Sequence, residues 1–319
     1  MSIKEQAGAL GRSLYRSLQR SWTDGSRVER AAYAVAAVLF ASGLVHLCLL
    51  LGSGGSWTGP LSMRKPTTFG LSFGLTLASV AWATSFLHLR ARTRTLLLGA
   101  FTAASVVEVT LVSTQFWRGV PSHFNFETGL DTAITATLAA GGGVIVATVL
   151  AWTVFAFRAV ADAPPSMRLA LRFGFVVLLA AMAIGAAMIA TGTAARDNPQ
   201  LAYTTAGFLK PAHAVTMHAI LVIPGLAWLL TFTRWPERGR LALVRLGVAG
   251  YLLLTVVIVI ESVARVAPLA APALATLASL AGLAALVIAG LLALAGLSPR
   301  RETQLPERAT RLPERETRV

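Results

Sequence analysis

Eight long apolar runs dominate the chain, at residues 31–51, 68–88, 95–116, 131–156, 169–192, 211–233, 241–263 and 270–296. Each is near or above the ~20 residues that a helix needs to cross a hydrocarbon core about 30 Å thick. Lipid offers no hydrogen-bond partners, so each run must satisfy its backbone internally, as a helix does. The pattern predicts an all-α, polytopic membrane helix bundle of about eight transmembrane helices, occupying residues 31–297. Gly141-Gly142-Gly143 in the fourth run and Pro224 in the sixth are expected points of bending or breakage. The eighth run is almost wholly Ala, Leu, Gly and Val, which suits close helix packing.

The flanks differ in kind. Residues 1–30 form a basic amphipathic segment, with Leu10, Leu14, Tyr15, Leu18 and Trp22 on one helical stripe and Arg12, Arg16 and Arg20 elsewhere. That arrangement suits a helix lying on an anionic inner leaflet. A polar stretch of this kind before the first apolar run does not match a cleavable signal. Residues 298–319 contain LPER twice, at 305–308 and 312–315, within a polar, mixed-charge stretch. They are expected to form a disordered cytoplasmic tail.

Composition supports the membrane reading. Only 13% of residues are charged, against about a quarter in soluble domains, and the mean hydropathy is +0.67. A net charge of +14 would suit nucleic acid, but the distribution along the chain explains it better. Of the 28 Lys and Arg, 22 fall on the N-terminal segment, three alternate connections and the tail. The other side carries six: Arg64, Lys65, Arg118, Arg196, Lys210 and Arg265. Basic connections stay inside, so both termini are expected in the cytoplasm of a bacterial plasma membrane. The single cysteine, Cys48, excludes an intrachain disulfide.

Polar residues inside the runs are costly in lipid and usually face a bundle interior or a wet cavity. Here they gather on the outer side. Glu108 and Gln115 lie seven residues apart on one face of the third run, with Ser105 nearly in line. His46 ends the first run, Asp131 opens the fourth, Lys210 precedes the sixth, and His213 and His218 lie within that run's outer half. His88, at the inner end of the second run, is the exception. Simpler explanations exist for some of these. Glu261 precedes Arg265 by one turn and suits a surface ion pair. Asp131 sits in a first turn, where the helix dipole favours a carboxylate. His46 suits a hydrogen bond to a neighbouring backbone group. The asymmetry nevertheless predicts a polar pocket opening to the extracytoplasmic side.

The connection RGVPSHFNFETG, Arg118 to Gly129, belongs to that side. Gly119, Pro121 and Ser122 supply turn residues, which leaves Arg118, His123 and Asn125 as candidates to rim the pocket. Three segments carry a family resemblance. Lys65, Pro66 and Phe69 enter the second run. Glu108 leads to Gly119, Ser122, His123, Phe124 and Asn125. Lys210, His213, His218 and Pro224 follow later. Over roughly residues 60–230 the chain resembles an uncharacterised group of bacterial multi-pass membrane proteins with a Gly-x-x-Ser-His-Phe-Asn loop and a later His-x4-His span. The resemblance implies the architecture and the site candidates, but no reaction.

Three functions fit these residues. The first is a membrane-embedded enzyme acting on a small or lipidic substrate. In it His123, Glu108 and His213 supply acid/base chemistry. Lys65, Gln115, Arg118, Ser122, Asn125, Lys210, His218 and His46 line the pocket, with the cations holding an anionic group. The second is a transporter or small-molecule-binding protein. The third is haem or metal ligation by histidines such as His46 with His213 or His218. The lipid bilayer is the one partner that the composition itself demands; nucleic acid is not expected.

Overall fold

In a computed structural model the described residues are 3–297, apart from 159, 161, 196, 268 and 269. The chain is all-α, and the described residues form no strand, only an isolated bridge between Thr233 and Leu297. Among the described residues ten helices follow in order: α1 (Ile3–Thr23), α2 (Arg27–Ser53), α3 (Arg64–Thr84), α4 (Ala91–Trp117), α5 (Gly129–Arg158), α6 (Pro165–Ala194), α7 (Pro199–Gly207), α8 (Lys210–Leu230), α9 (Glu237–Val263) and α10 (Ala273–Ala295). Seven of them, α2, α4, α5, α6, α8, α9 and α10, are long and apolar enough to cross a membrane. The protein is a multi-pass membrane protein.

Of the other helices, α3 covers most of the second expected span but does not join those seven. Six Ser and Thr side chains and two glycines dilute its apolar residues. Its position explains why that composition is tolerated. Gly70 and Gly74 meet α2 at Gly43 and Ala36, where a Cβ on Gly70 would stand 2.6 Å from the Gly43 backbone. Backbones this close require small residues. Its buried hydroxyls return to the helix itself: Ser79 and Thr84 donate to carbonyls four residues earlier. Gly250 of α9 and Gly282 of α10 make a second crossing of the same type.

Neither expected bend breaks its helix. α5 runs unbroken through Gly141–Gly143, and α8 runs through Pro224. The proline ring is accommodated by Gly174 of α6, whose Cβ would lie 3.4 Å from it. At one end of the bundle Ser26 and Glu29 form a capping box at the start of α2. The Glu29 carboxylate also accepts from Arg94 at 2.6 Å, joining α2 to α4. α1 is held by Trp228, whose indole donates to Ser17 at 3.1 Å. Leu10 and Leu14 are half-buried, while Tyr15, Leu18 and Trp22 stay exposed. The core is aromatic and aliphatic, with Phe101 edge-on to the fully buried Trp152 at 5.3 Å.

One expected connection is helical. α7 lies within residues 193–210, started by Asn198, whose side chain accepts from Leu201 N, with Pro199 at its first position. The expected Glu261–Arg265 ion pair does not form. α9 stops at Val263, and Arg265 adopts φ 57°. Its guanidinium lies over Phe208 at 5.5 Å instead, leaving Glu261 buried. The expected tail, 298–319, lies outside the described residues.

Candidate functional site

At the end of the bundle where α3, α5 and α8 begin and α4 finishes, the chain builds two polar clusters. The first starts at α3. Ser62 accepts from the Arg64 backbone N–H at 3.1 Å, and the Arg64 Nε donates to the Trp57 carbonyl at 3.1 Å. This orders the residues that carry Lys65. The Lys65 ammonium donates to the Ser122 hydroxyl at 3.2 Å, and Ser122 Oγ lies 2.9 Å from His123 Nδ1. An ammonium only donates, so the serine proton is free to go to Nδ1, which puts the ring proton on Nε2. His123 is packed between Phe69 and Phe124, with ring centroids 5.8 and 6.0 Å away. Burial, aided by the Lys65 charge, lowers its pKa to about 3, so the imidazole is neutral at physiological pH.

The loop is held in place by its own side chains. Phe124 adopts φ 62° and lays its ring on Gly192 of α6, where a Cβ would collide with it. Asn125 is buried. Its Oδ1 accepts from Glu127 N at 3.1 Å, its carbonyl accepts from Thr135 at 2.9 Å, and its Nδ2 has no partner. Lys210 opens α8 with its ammonium 3.9 Å from the centre of the Tyr203 ring. Arg64 and Lys210 both act electrostatically on Lys65. Among the described residues neither lysine has a carboxylate partner.

The second cluster is closed. Asp131 Oδ1 accepts from Arg118 Nη1 at 2.7 Å and from Gln115 Nε2 at 3.0 Å. Arg118 also donates to Gln115 Oε1. Oδ2 accepts from the Thr128 hydroxyl at 2.6 Å, and Thr128 Oγ1 accepts from Asp131 N at 3.1 Å. Gln115 and Arg118 clamp the end of α4 to the start of α5.

The other candidates scatter. His46 Nδ1 donates to the Ser42 carbonyl at 2.8 Å, and its Nε2 accepts from Trp117 at 3.2 Å, so both ring nitrogens are engaged. The Nδ1 atoms of His213 and His218 bond the carbonyls of Ala181 and Ala214 at 2.9 and 2.6 Å. Among the described residues no three His, Cys, Asp or Glu are grouped to hold a metal ion. Glu108 is buried against Gly141 of α5, where a Cβ would stand 3.1 Å from its Oε1. It has no hydrogen bond or ion pair among the described residues, and none joins it to Ser122 or His123.

Beside Lys65 and Ser122, a hollow of about 10 Å³ is walled by Val112, Phe116 and Val120. That is room for about one water. A larger, mainly apolar groove of about 750 Å³ lies elsewhere, between α2 and α4. Sequence reading passed over Arg64 and Tyr203; the adjacency of Arg64 to Lys65 was the available signal, and Tyr203 offered none. Comparison with protein-family models, with characterised proteins and with solved structures yields no match to the chain.

Proposed function

We propose that this multi-pass membrane protein recognises an anionic group at Lys65, Ser122, His123 and Lys210, on the extracytoplasmic side of a bacterial plasma membrane. In this reading α3 is the eighth span, and the 22 basic residues of the opposite side place both termini in the cytoplasm. The observation that carries the proposal is the pair of lysines at the starts of α3 and α8, which have no carboxylate partner among the described residues. Each helix start adds its own positive partial charge. Arg64 Nη2, buried without a partner, adds a further donor. A phosphate or carboxylate of a small molecule or lipid supplies the missing charge.

A second reading, an enzyme acting on that bound small or lipidic substrate, is favoured by the Ser122–His123 hydrogen bond. It sets a hydroxyl against a neutral imidazole that can accept its proton. The test of the binding reading is thermal unfolding of the purified protein in detergent, titrated with inorganic phosphate and glycerol phosphate. Both should stabilise the wild type, because a ligand that binds only the folded state adds its binding free energy. The Lys65→Met/Lys210→Met variant should lose that stabilisation. An equal shift in the variant refutes the site.

A further inference from the structure

The groove between α2 and α4 is a separate feature and shares none of the four residues just assigned. Its α4 wall is Val106, Val109, Thr110, Ser113, Thr114, Trp117 and Arg118, a single stripe at helical spacing. Its α2 wall runs from Ala34 to Ser42. From Val106 to Arg118 the helix rises about 18 Å at 1.5 Å per residue, slightly more than half of a hydrocarbon core about 30 Å thick. The groove is therefore about one leaflet deep. Its volume of about 750 Å³ falls within the range of about 300–1,000 Å³ usual for ligand pockets.

The lining is graded along that depth. Ala34, Val35, Val38 and Val106 form the deep end, whereas Ser113, Thr114, Trp117 and Arg118 form the shallow end. The hydroxyls are unusual for this bundle. Ser79, Thr84, Thr102, Ser105 and Thr153 each donate to a carbonyl four residues earlier. The groove hydroxyls of Ser42, Thr110, Ser113 and Thr114 make no hydrogen bond among the described residues, and Ser113 Oγ is buried. Arg118 spends Nη1 on Asp131 and Gln115, and among the described residues its Nε and Nη2 edge has no partner. Trp117, exposed beside it, has the ring type that settles at headgroup level.

We infer that this groove binds one acyl chain of an anionic glycerophospholipid, with the phosphate on the free edge of Arg118 and an ester carbonyl at Ser113. The apolar floor takes the chain, the unpartnered hydroxyls meet the ester region, and the guanidinium meets the charge, in the order in which a lipid carries those groups.

Native mass spectrometry of the full chain, exchanged into detergent with phosphatidylglycerol or phosphatidylcholine, tests this. Phosphatidylglycerol should be retained at one per protein, and phosphatidylcholine less. Val38→Trp and Val106→Trp fill the groove from exposed positions, so the core is spared. Each should weaken phosphatidylglycerol retention about tenfold, equivalent to about 1.4 kcal/mol, and leave stabilisation by inorganic phosphate intact. Ser113→Ala should weaken it less. Unchanged retention in both tryptophan variants would mean a non-specific lipid shell and would overturn the assignment. So would displacement by glycerol phosphate alone, because that lacks the chain.

Discussion

Two polar clusters lie at the same end of this bundle, within a few residues of each other in the 118–131 stretch, and their charges are balanced differently. Around Asp131, one guanidinium meets one carboxylate and both carboxylate oxygens are occupied. Around Ser122, Arg64, Lys65 and Lys210 act on one another electrostatically and have no carboxylate partner among the described residues. The carboxylate of the closed cluster has nothing left to offer a ligand, so its contribution is to hold α4 against α5. An open cluster gains no stability from mutual repulsion, so its presence points to a bound anion. Proximity to a loop and residue type did not distinguish the two; the partners did.

The largest effect should come from opening the closed cluster. Asp131→Ala strands Arg118 and removes the acceptor shared by Gln115 and Thr128, so it should lower folding stability, as read by chemical or thermal unfolding in detergent micelles. Lys65→Met, by contrast, should leave stability equal or higher, since it removes one of three like charges. If Lys65→Met destabilises as much as Asp131→Ala, the contrast between the clusters is wrong.

Next in size is ligand affinity. Lys210→Met alone should weaken inorganic phosphate binding about tenfold or more, the loss of a hydrogen bond to a charged group at about 1.5–3 kcal/mol. Arg64→Gln should weaken it less, since its Nε bond to Trp57 orients it from the side. Isothermal titration separates these outcomes, and equal affinity in all three proteins would remove the anion from the account.

The pH response should be smaller and signed. The His123 pKa is depressed in the folded state, to about 3 from an ordinary 6.5. Between those values the unfolded chain binds the proton and the folded one does not. Its contribution is thus complete above pH 6.5 and is lost as pH falls toward 3. His123→Gln should flatten that limb of the stability profile. Bound phosphate should raise the imidazole pKa, seen as proton uptake on binding; proton release would contradict an anion beside His123. The smallest effect is reserved for Thr128→Val, which removes one hydroxyl from Asp131 and should cost about 1 kcal/mol.

Much of the helix pattern was readable along the chain. Runs of about twenty apolar residues have few alternatives in lipid, and each of the eight expected runs largely coincides with a helix. α7 was also signalled, by Asn198 and Pro199, a cap and a first-turn proline, but a span-length reading skips nine residues. The Glu261–Arg265 spacing was suggestive and misled, because helix termination at Val263 redirects Arg265 to Phe208, a residue 57 positions away. Gln115 and Arg118 stood out in the sequence as unusual, yet their partner Asp131 was read separately, as a dipole effect.

From the sequence alone came the all-α architecture, the membrane environment and the residues worth attention, because burial in lipid penalises every polar group and makes the survivors conspicuous. Only the tertiary structure decided their roles. It set Lys65 on Ser122 and Ser122 on His123, closed Arg118 and Gln115 onto Asp131, occupied both nitrogens of His46, and packed Glu108 against Gly141. Those outcomes depend on which helices are neighbours, and helix neighbours are chosen by close-packing contacts such as Gly43 on Gly70, between residues far apart in the chain.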